Sequence, residues 1–250
     1  QPVLSAELTP IVDEPFRRYK PPHIASKSAY TIVMVGDSMT HALGPHGGTF
    51  NEFMNTLYKP HGKGIVIDNY ASGSTNLLGL PESMTKPITY WDSDFKPLLS
   101  RDFDLILIES FGYNPLSEYT VEEGLNKQTE TLTQIMETLI AIHPNARIVF
   151  VATISPNKVN YAKKTNPNTT VKDRVLQAEE RIAYIKNHIR YAKEHTIPII
   201  NIYEKSLTAD GDGKREYINP DDDIHPSFAG VDFIGHELAN YVFENNILPR

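Results

Sequence analysis

The chain has 250 residues, 24 Lys and Arg against 31 Asp and Glu for a net charge of −7, and no cysteine. That length suits one domain, or one domain with an arm, around a large buried core. The lack of cysteine excludes disulfides, zinc–thiolate sites and cysteine nucleophiles. The missing basic stripe argues against nucleic acid as a partner, and no apolar run reaches the roughly 18 residues of a membrane span.

Residues 1–28 hold Pro2, Pro10, Pro15, Pro21 and Pro22 among Arg17, Arg18, Lys20 and Lys27, with poor apolar periodicity. They read as an extended arm or linker ahead of a domain over 29–250, a disordered tail being the alternative. The sequence opens on Gln1, which reads as a processed or trimmed chain. With the Pro-rich arm this sets the expectation of export, the cytoplasm being the alternative.

From Tyr30 the pattern turns regular. Tyr30-Thr31-Ile32-Val33-Met34-Val35 predicts a parallel strand buried on both faces, stopping at Gly36, where the chain can turn sharply. Ser38–Leu43 can then begin a helix. A helix over about 47–58 carries Phe50, Phe53, Met54 and Leu57, and a second strand covers 64–70. A long polar stretch follows with Pro81, Pro87 and Pro97; it holds Tyr90 and the only tryptophan, Trp91. A third strand is expected at 103–108, a helix at 120–142 and a fourth strand at 146–153. Residues 155–171 read as loop, 172–195 as helix, 197–202 as the fifth strand, 207–224 as an acidic loop and 227–245 as the last helix. Strands alternating with amphipathic helices predict a five-stranded parallel sheet in a three-layer α/β/α sandwich.

Loops after parallel strands share one edge of the sheet, so residues distant in sequence can converge there. Ser38 follows the first strand, Gly73 the second and Asn114 the third; His225 precedes the last helix. A serine hydroxyl is a poor nucleophile until a base takes its proton, and an imidazole can do so near neutral pH. The imidazole needs its second nitrogen held. Asp222 stands three residues before His225, with Asp221 and Asp223 as the other choices. Pro226 keeps His225 out of the helix that follows. A developing oxyanion needs preorganised donors: the N–H groups of Ser38 and Gly73 and the amide of Asn114 are the candidates. Glu109, at the end of the third strand, is either a functional buried carboxylate or a hydrogen-bonded strand end. Asp210-Gly211-Asp212-Gly213-Lys214 lacks the EF-hand pattern and reads as a solvated turn.

Gly36-Asp37-Ser38, Gly73, Gly112-Tyr113-Asn114 and Asp222-Asp223-Ile224-His225-Pro226, in that order, resemble the SGNH hydrolases, the GDSL esterase/lipase superfamily. The resemblance spans residue 30 to the C-terminus. It implies a flavodoxin-like sandwich of sheet order 2-1-3-4-5 and a Ser38–His225–Asp222 triad with an oxyanion hole of Ser38, Gly73 and Asn114. Methionine follows Ser38 where the family has leucine, and Pro115 stands where it usually has aspartate, so Asn114 is expected to be held differently. Tyr113, Asp37 and Trp91 are candidate substrate-binding residues, with Tyr90 and Tyr161 as further aromatic walls. The expected function is hydrolysis of a small ester, with acetylated carbohydrate as substrate and no cofactor or metal. The alternatives are a lysophospholipase or thioesterase, or a silent sugar- or lipid-binding module of the same fold.

Overall fold

The structure, a computed structural model, describes residues 16–250, so the first fifteen residues of the proposed arm lie outside it. In chain order it contains β1 (Ala29–Val35), α1 (Ser38–His41), α2 (Thr49–Tyr58), β2 (Gly64–Asn69) and α3 (Leu80–Ser83). Then come β3 (Ile88–Tyr90), β4 (Ser93–Phe95), β5 (Leu105–Glu109), α4 (Val121–Ile142) and β6 (Arg147–Ala152). The chain ends with α5 (Val171–Glu194), β7 (Ile199–Asn201), α6 (Ile202–Lys205) and α7 (Phe228–Glu244).

The main sheet runs β2-β1-β5-β6-β7, and every pair is parallel. This is the expected 2-1-3-4-5 order, with the short antiparallel hairpin β3–β4 inserted before its third strand. Alternation along the strands divides the core. Tyr30, Ile32 and Met34 join Ile67, Leu107, α2 and α7 on one face. Val33 and Val35 join Ile106, Ile108, Phe150 and α4 on the other. Both sets are buried, and each large side chain removed from water contributes about 1.5–3 kcal/mol. The two long helices start where sequence chemistry sets them: Thr120 with Glu123, and Thr170 with Asp173, form reciprocal capping boxes.

The polar stretch after β2 carries more structure than its composition suggests. It forms α3 and the β3–β4 hairpin, whose three-residue strands turn at Trp91 with φ of +52°. No glycine or Asn-Gly pair marks this turn, and three residues are too few for alternation to register.

Residues 16–28 form neither helix nor strand and are tied to the amino edge of the sheet. The Tyr19 hydroxyl accepts the Ile148 N–H at 2.9 Å, Arg147 donates to the Pro22 carbonyl at 3.1 Å, and Lys27 pairs with Asp104. The carboxyl edge opposite is left to the loops that carry Ser38, Gly73 and Asn114. Among the described residues no helix is long and apolar enough to cross a membrane.

Candidate active site

Gly36 makes the turn out of β1 possible by close approach. A Cβ there would lie 2.7 Å from the Thr40 Cβ and 2.9 Å from the Glu109 Cβ, so nothing larger fits between α1 and β5. Asp37 then caps α1, its Oδ1 accepting the Met39 N–H at 2.9 Å. Ser38, the first helical residue, is lifted to the rim of the sheet.

The loop before α7 brings the imidazole to it. His225 Nε2 lies 3.1 Å from Ser38 Oγ, and His225 Nδ1 lies 2.7 Å from Asp222 Oδ2. The other carboxylate oxygen, Oδ1, accepts the N–H groups of Ile224 at 2.7 Å and His225 at 3.0 Å. One carboxylate thus shapes the loop and orients the ring. Burial pushes the Asp222 carboxyl up, but the Ile224 N–H and the His225 ring and N–H outweigh this and hold it below the usual aspartate range. The loop is fastened at its base: Asn219 N–H donates to the His225 carbonyl at 2.7 Å, and Ser227 N–H to the Tyr217 carbonyl at 3.0 Å. Of the three candidate aspartates only Asp222 meets the ring. Asp223, at φ +60°, turns away to Arg215 at 2.8 Å, and Asp221 is exposed.

Gly73 sits against the serine, for a Cβ built on it would be 4.0 Å from Ser38 Cβ. Its loop is tied to the β1 turn by the Ser72 N–H, which donates to the Gly36 carbonyl at 3.1 Å. The Asn114 amide donates to Asp37 Oδ2 at 3.1 Å, so Asp37 does the anchoring that Pro115 cannot. Phe111, in left-handed backbone at φ +52°, gives its N–H to Glu109 Oε2 at 3.0 Å. The same oxygen faces the Asp37 N–H at 3.4 Å, and the Ser110 hydroxyl donates to Oε1. Glu109 therefore braces the nucleophile turn and the Asn114 turn together. Sequence reasoning left its role open; the one available signal was a carboxylate closing an apolar strand.

Asp37 and Glu109 are 0% and 2% exposed. Two adjacent buried carboxyls cannot both ionise. Burial and then the Asp37 charge push Glu109 well above the usual glutamate range. Burial also raises Asp37, against the Met39 N–H and the Asn114 amide. Of the pair, Glu109 is held the further above its ordinary range.

Two expected substrate-binding residues turn inward. Asp37 is the buried cap just described. Tyr113 is buried too, its hydroxyl donating to the Ile154 carbonyl at 3.2 Å and its ring beside Tyr161. Both assignments are corrected: an apolar layer needs Tyr113, and a helix N-terminus needs Asp37. Trp91 is 73% exposed. Its hairpin docks on α1 through Tyr90, whose ring stacks on His41 at 3.9 Å and whose hydroxyl donates to the His41 carbonyl. Asp212, in the supposed solvated turn, instead accepts the Lys158 N–H at 2.9 Å and the Asn157 amide at 3.1 Å, clamping two loops together.

A second serine–histidine–aspartate chain was not foreseen. Ser93 Oγ lies 3.2 Å from His46 Nε2, and His46 Nδ1 lies 3.2 Å from Asp68 Oδ1. There, however, Nδ1 is shared with the Ile67 carbonyl at 3.2 Å, and Asp68 is paired to Arg101 at 2.6 Å. This relay fastens the hairpin to β2. Among the described residues no group of three or more His, Asp or Glu side chains is placed to hold a metal ion.

The family model for GDSL-like lipases and acylhydrolases matches residues 34–233. No curated protein matches the sequence. Among solved structures, a lipase/acylhydrolase from Enterococcus faecalis superimposes with a TM-score of 0.58 at 14% identity, over 86% of this chain and 96% of that one. An acetyl xylan esterase gives 0.59 at 13% identity, over 85% and 99%. A GDSL-like lipase from Bacteroides thetaiotaomicron gives 0.53 at 14% identity, over 86% and 88%.

Proposed function

This chain belongs to the GDSL-like lipase/acylhydrolase family and is a carboxylic ester hydrolase, and on that premise we propose that it works through an acyl-serine at Ser38. The observation that carries the reading is the unbroken relay from Ser38 Oγ through His225 to Asp222, at 3.1 and 2.7 Å. Ser38 Oγ attacks the ester carbonyl while His225 Nε2 takes its proton. The Asp222 carboxylate holds the Nδ1–H and stabilises the imidazolium. Charge develops on the carbonyl oxygen, toward the Ser38 and Gly73 N–H groups and the Asn114 amide; a donor of this kind contributes about 10²–10³ in rate. Asp37 holds one Asn114 N–H and leaves the other for the oxyanion. The upward shift of Glu109 matters here, since a second buried negative charge would oppose the developing oxyanion. His225 then protonates the departing alkoxide, and a water that it deprotonates releases the acid.

The substrate is a short acyl ester, acetyl first, on a carbohydrate or similar small alcohol. Support comes from the fold shared with an acetyl xylan esterase and from the exposed position of Trp91 beside α1. A p-nitrophenyl ester series from two to twelve carbons tests it. Turnover should be fastest on acetate and abolished by Ser38→Ala. Faster turnover on octanoate or longer sinks the acetyl reading in favour of a lipase or thioesterase. Full activity without the Ser38 hydroxyl sinks the mechanism.

A further inference from the structure

A groove of about 410 Å³, walled by Ala42, Pro220, Asp221, Pro226, Phe228 and Val231, opens between the end of α1 and the start of α7; no relay residue lines it. Its walls are chain neighbours of all three relay residues. Ala42 lies one turn along from Ser38, its N–H donating to the Ser38 carbonyl at 3.0 Å; Asp221 precedes Asp222; Pro226 follows His225. We propose that this groove is the alcohol subsite of the esterase and holds the sugar ring from which the acyl group is removed, an inference that rests on the Ser38–His225 reading above.

The order of proton transfers assigns the side. The carbonyl oxygen must point at Gly73 and Asn114, and the leaving oxygen must meet His225 Nε2, which protonates it. The alcohol therefore departs over the imidazole, whose loop supplies Pro220, Asp221 and Pro226 to the groove wall.

The lining assigns the class. Phe228 is 96% exposed at the first position of α7, with Ser227 capping the helix behind it. An aromatic ring left so fully in water at a groove mouth offers a platform for the C–H face of a pyranose, with proline rings beside it. The Asp221 carboxylate has no hydrogen-bond or ion-pair partner among the described residues; only its backbone N–H is used, donating to Asn219 Oδ1 at 3.0 Å. A free carboxylate accepts hydroxyl protons. It also disfavours an acyl chain, which would desolvate it, and an anionic phosphate headgroup, which it would repel. A neutral polyol satisfies both the ring and the carboxylate.

The test compares β-D-xylopyranose tetraacetate with ethyl acetate, which leaves no ring. Phe228→Ala should raise KM for the sugar ester about tenfold with kcat nearly unchanged, and cost much less on ethyl acetate. Phe228→Trp should restore the sugar ester KM. Asp221→Asn should raise that KM several-fold, and Ala42→Leu, which fills the groove, should do the same. Equal losses on both esters, no loss on either, or wild-type protein that cleaves ethyl acetate but no sugar acetate would each overturn the inference. Fluorophosphonate labelling of Ser38 is read in parallel on every variant. Labelling with no discrimination rejects the groove alone, whereas absence of labelling in the wild type rejects the serine mechanism beneath it.

Discussion

Asp222→Asn is the substitution whose effect the geometry determines most fully. Asp222 Oδ1 accepts two backbone N–H groups, at 2.7 and 3.0 Å, while Oδ2 meets His225 Nδ1 at 2.7 Å. An asparagine keeps the same shape but has only one acceptor oxygen. Two N–H donors require that oxygen at the Oδ1 position, so the amide NH₂ must face Nδ1. Nδ1 then becomes the acceptor, the ring proton moves to Nε2, and the lone pair that would take the Ser38 proton is gone. The loss should approach that of a triad held in the wrong tautomer, about 10³–10⁴ in kcat or about 4–5.5 kcal/mol in the barrier. Because the backbone hydrogen bonds survive, Tm should move by no more than about 2 °C, the equivalent of under 1 kcal/mol for a domain of this size. Stopped-flow p-nitrophenyl acetate hydrolysis with a thermal melt measures both. A loss below about tenfold with an unchanged melt would show that the Asp222 contact does not set the tautomer.

Other substitutions separate the remaining parts. Asn114→Ala should lower kcat about 10²–10³-fold on p-nitrophenyl acetate, since it removes an oxyanion donor; a change of only a few-fold excludes the amide from that role. Glu109 has a raised native pKa, so its neutral form stabilises the fold at low pH and that contribution is lost as pH rises above the ordinary glutamate range. Glu109→Gln cannot ionise, so its Tm relative to wild type should climb between pH 5 and pH 8, and a difference independent of pH contradicts the upward shift of Glu109. His188 behaves oppositely. Fully buried against Phe150, with Nε2 3.1 Å from the Ile108 carbonyl, it has its pKa lowered by burial to about 3. Below pH 6.5 the unfolded chain takes a proton the native state refuses, so stability should fall with acid at up to about 1.4 kcal/mol per pH unit. Urea melts at pH 7 and 4.5 should show His188→Gln losing about 2–3 kcal/mol less than wild type over that interval.

The sheet was legible because its strands are unbroken apolar runs rich in β-branched residues, such as Ile32–Val35 and Leu105–Ile108, buried on both faces. The long helices were legible from their period and their Thr-x-x-acid starts. The β3–β4 hairpin was not, because its Trp91-Asp92 turn puts Trp91 in a left-handed conformation with no glycine or Asn-Gly pair to announce it. At the rim, spacing brought Ser38, Asp222 and His225 into consideration, and their meeting depends on one carboxylate that folds its own loop. What spacing could not say is which way a side chain faces. Asp37 and Tyr113 sit next to the reacting residues in sequence yet point into the core, while Phe228, three residues past His225, stands in solvent. The Asp37–Glu109 pair joins residues 72 apart in sequence and belongs to no local pattern.

The central claim is that one serine, and not merely the family fold, carries the activity. Intact protein treated with a fluorophosphonate and digested for peptide mass spectrometry tests it directly. A single adduct on the peptide bearing Ser38, lost in His225→Ala, is the expected result. An adduct on Ser93, which has its own histidine 3.2 Å away, or no adduct in protein that still cleaves esters, would contradict it.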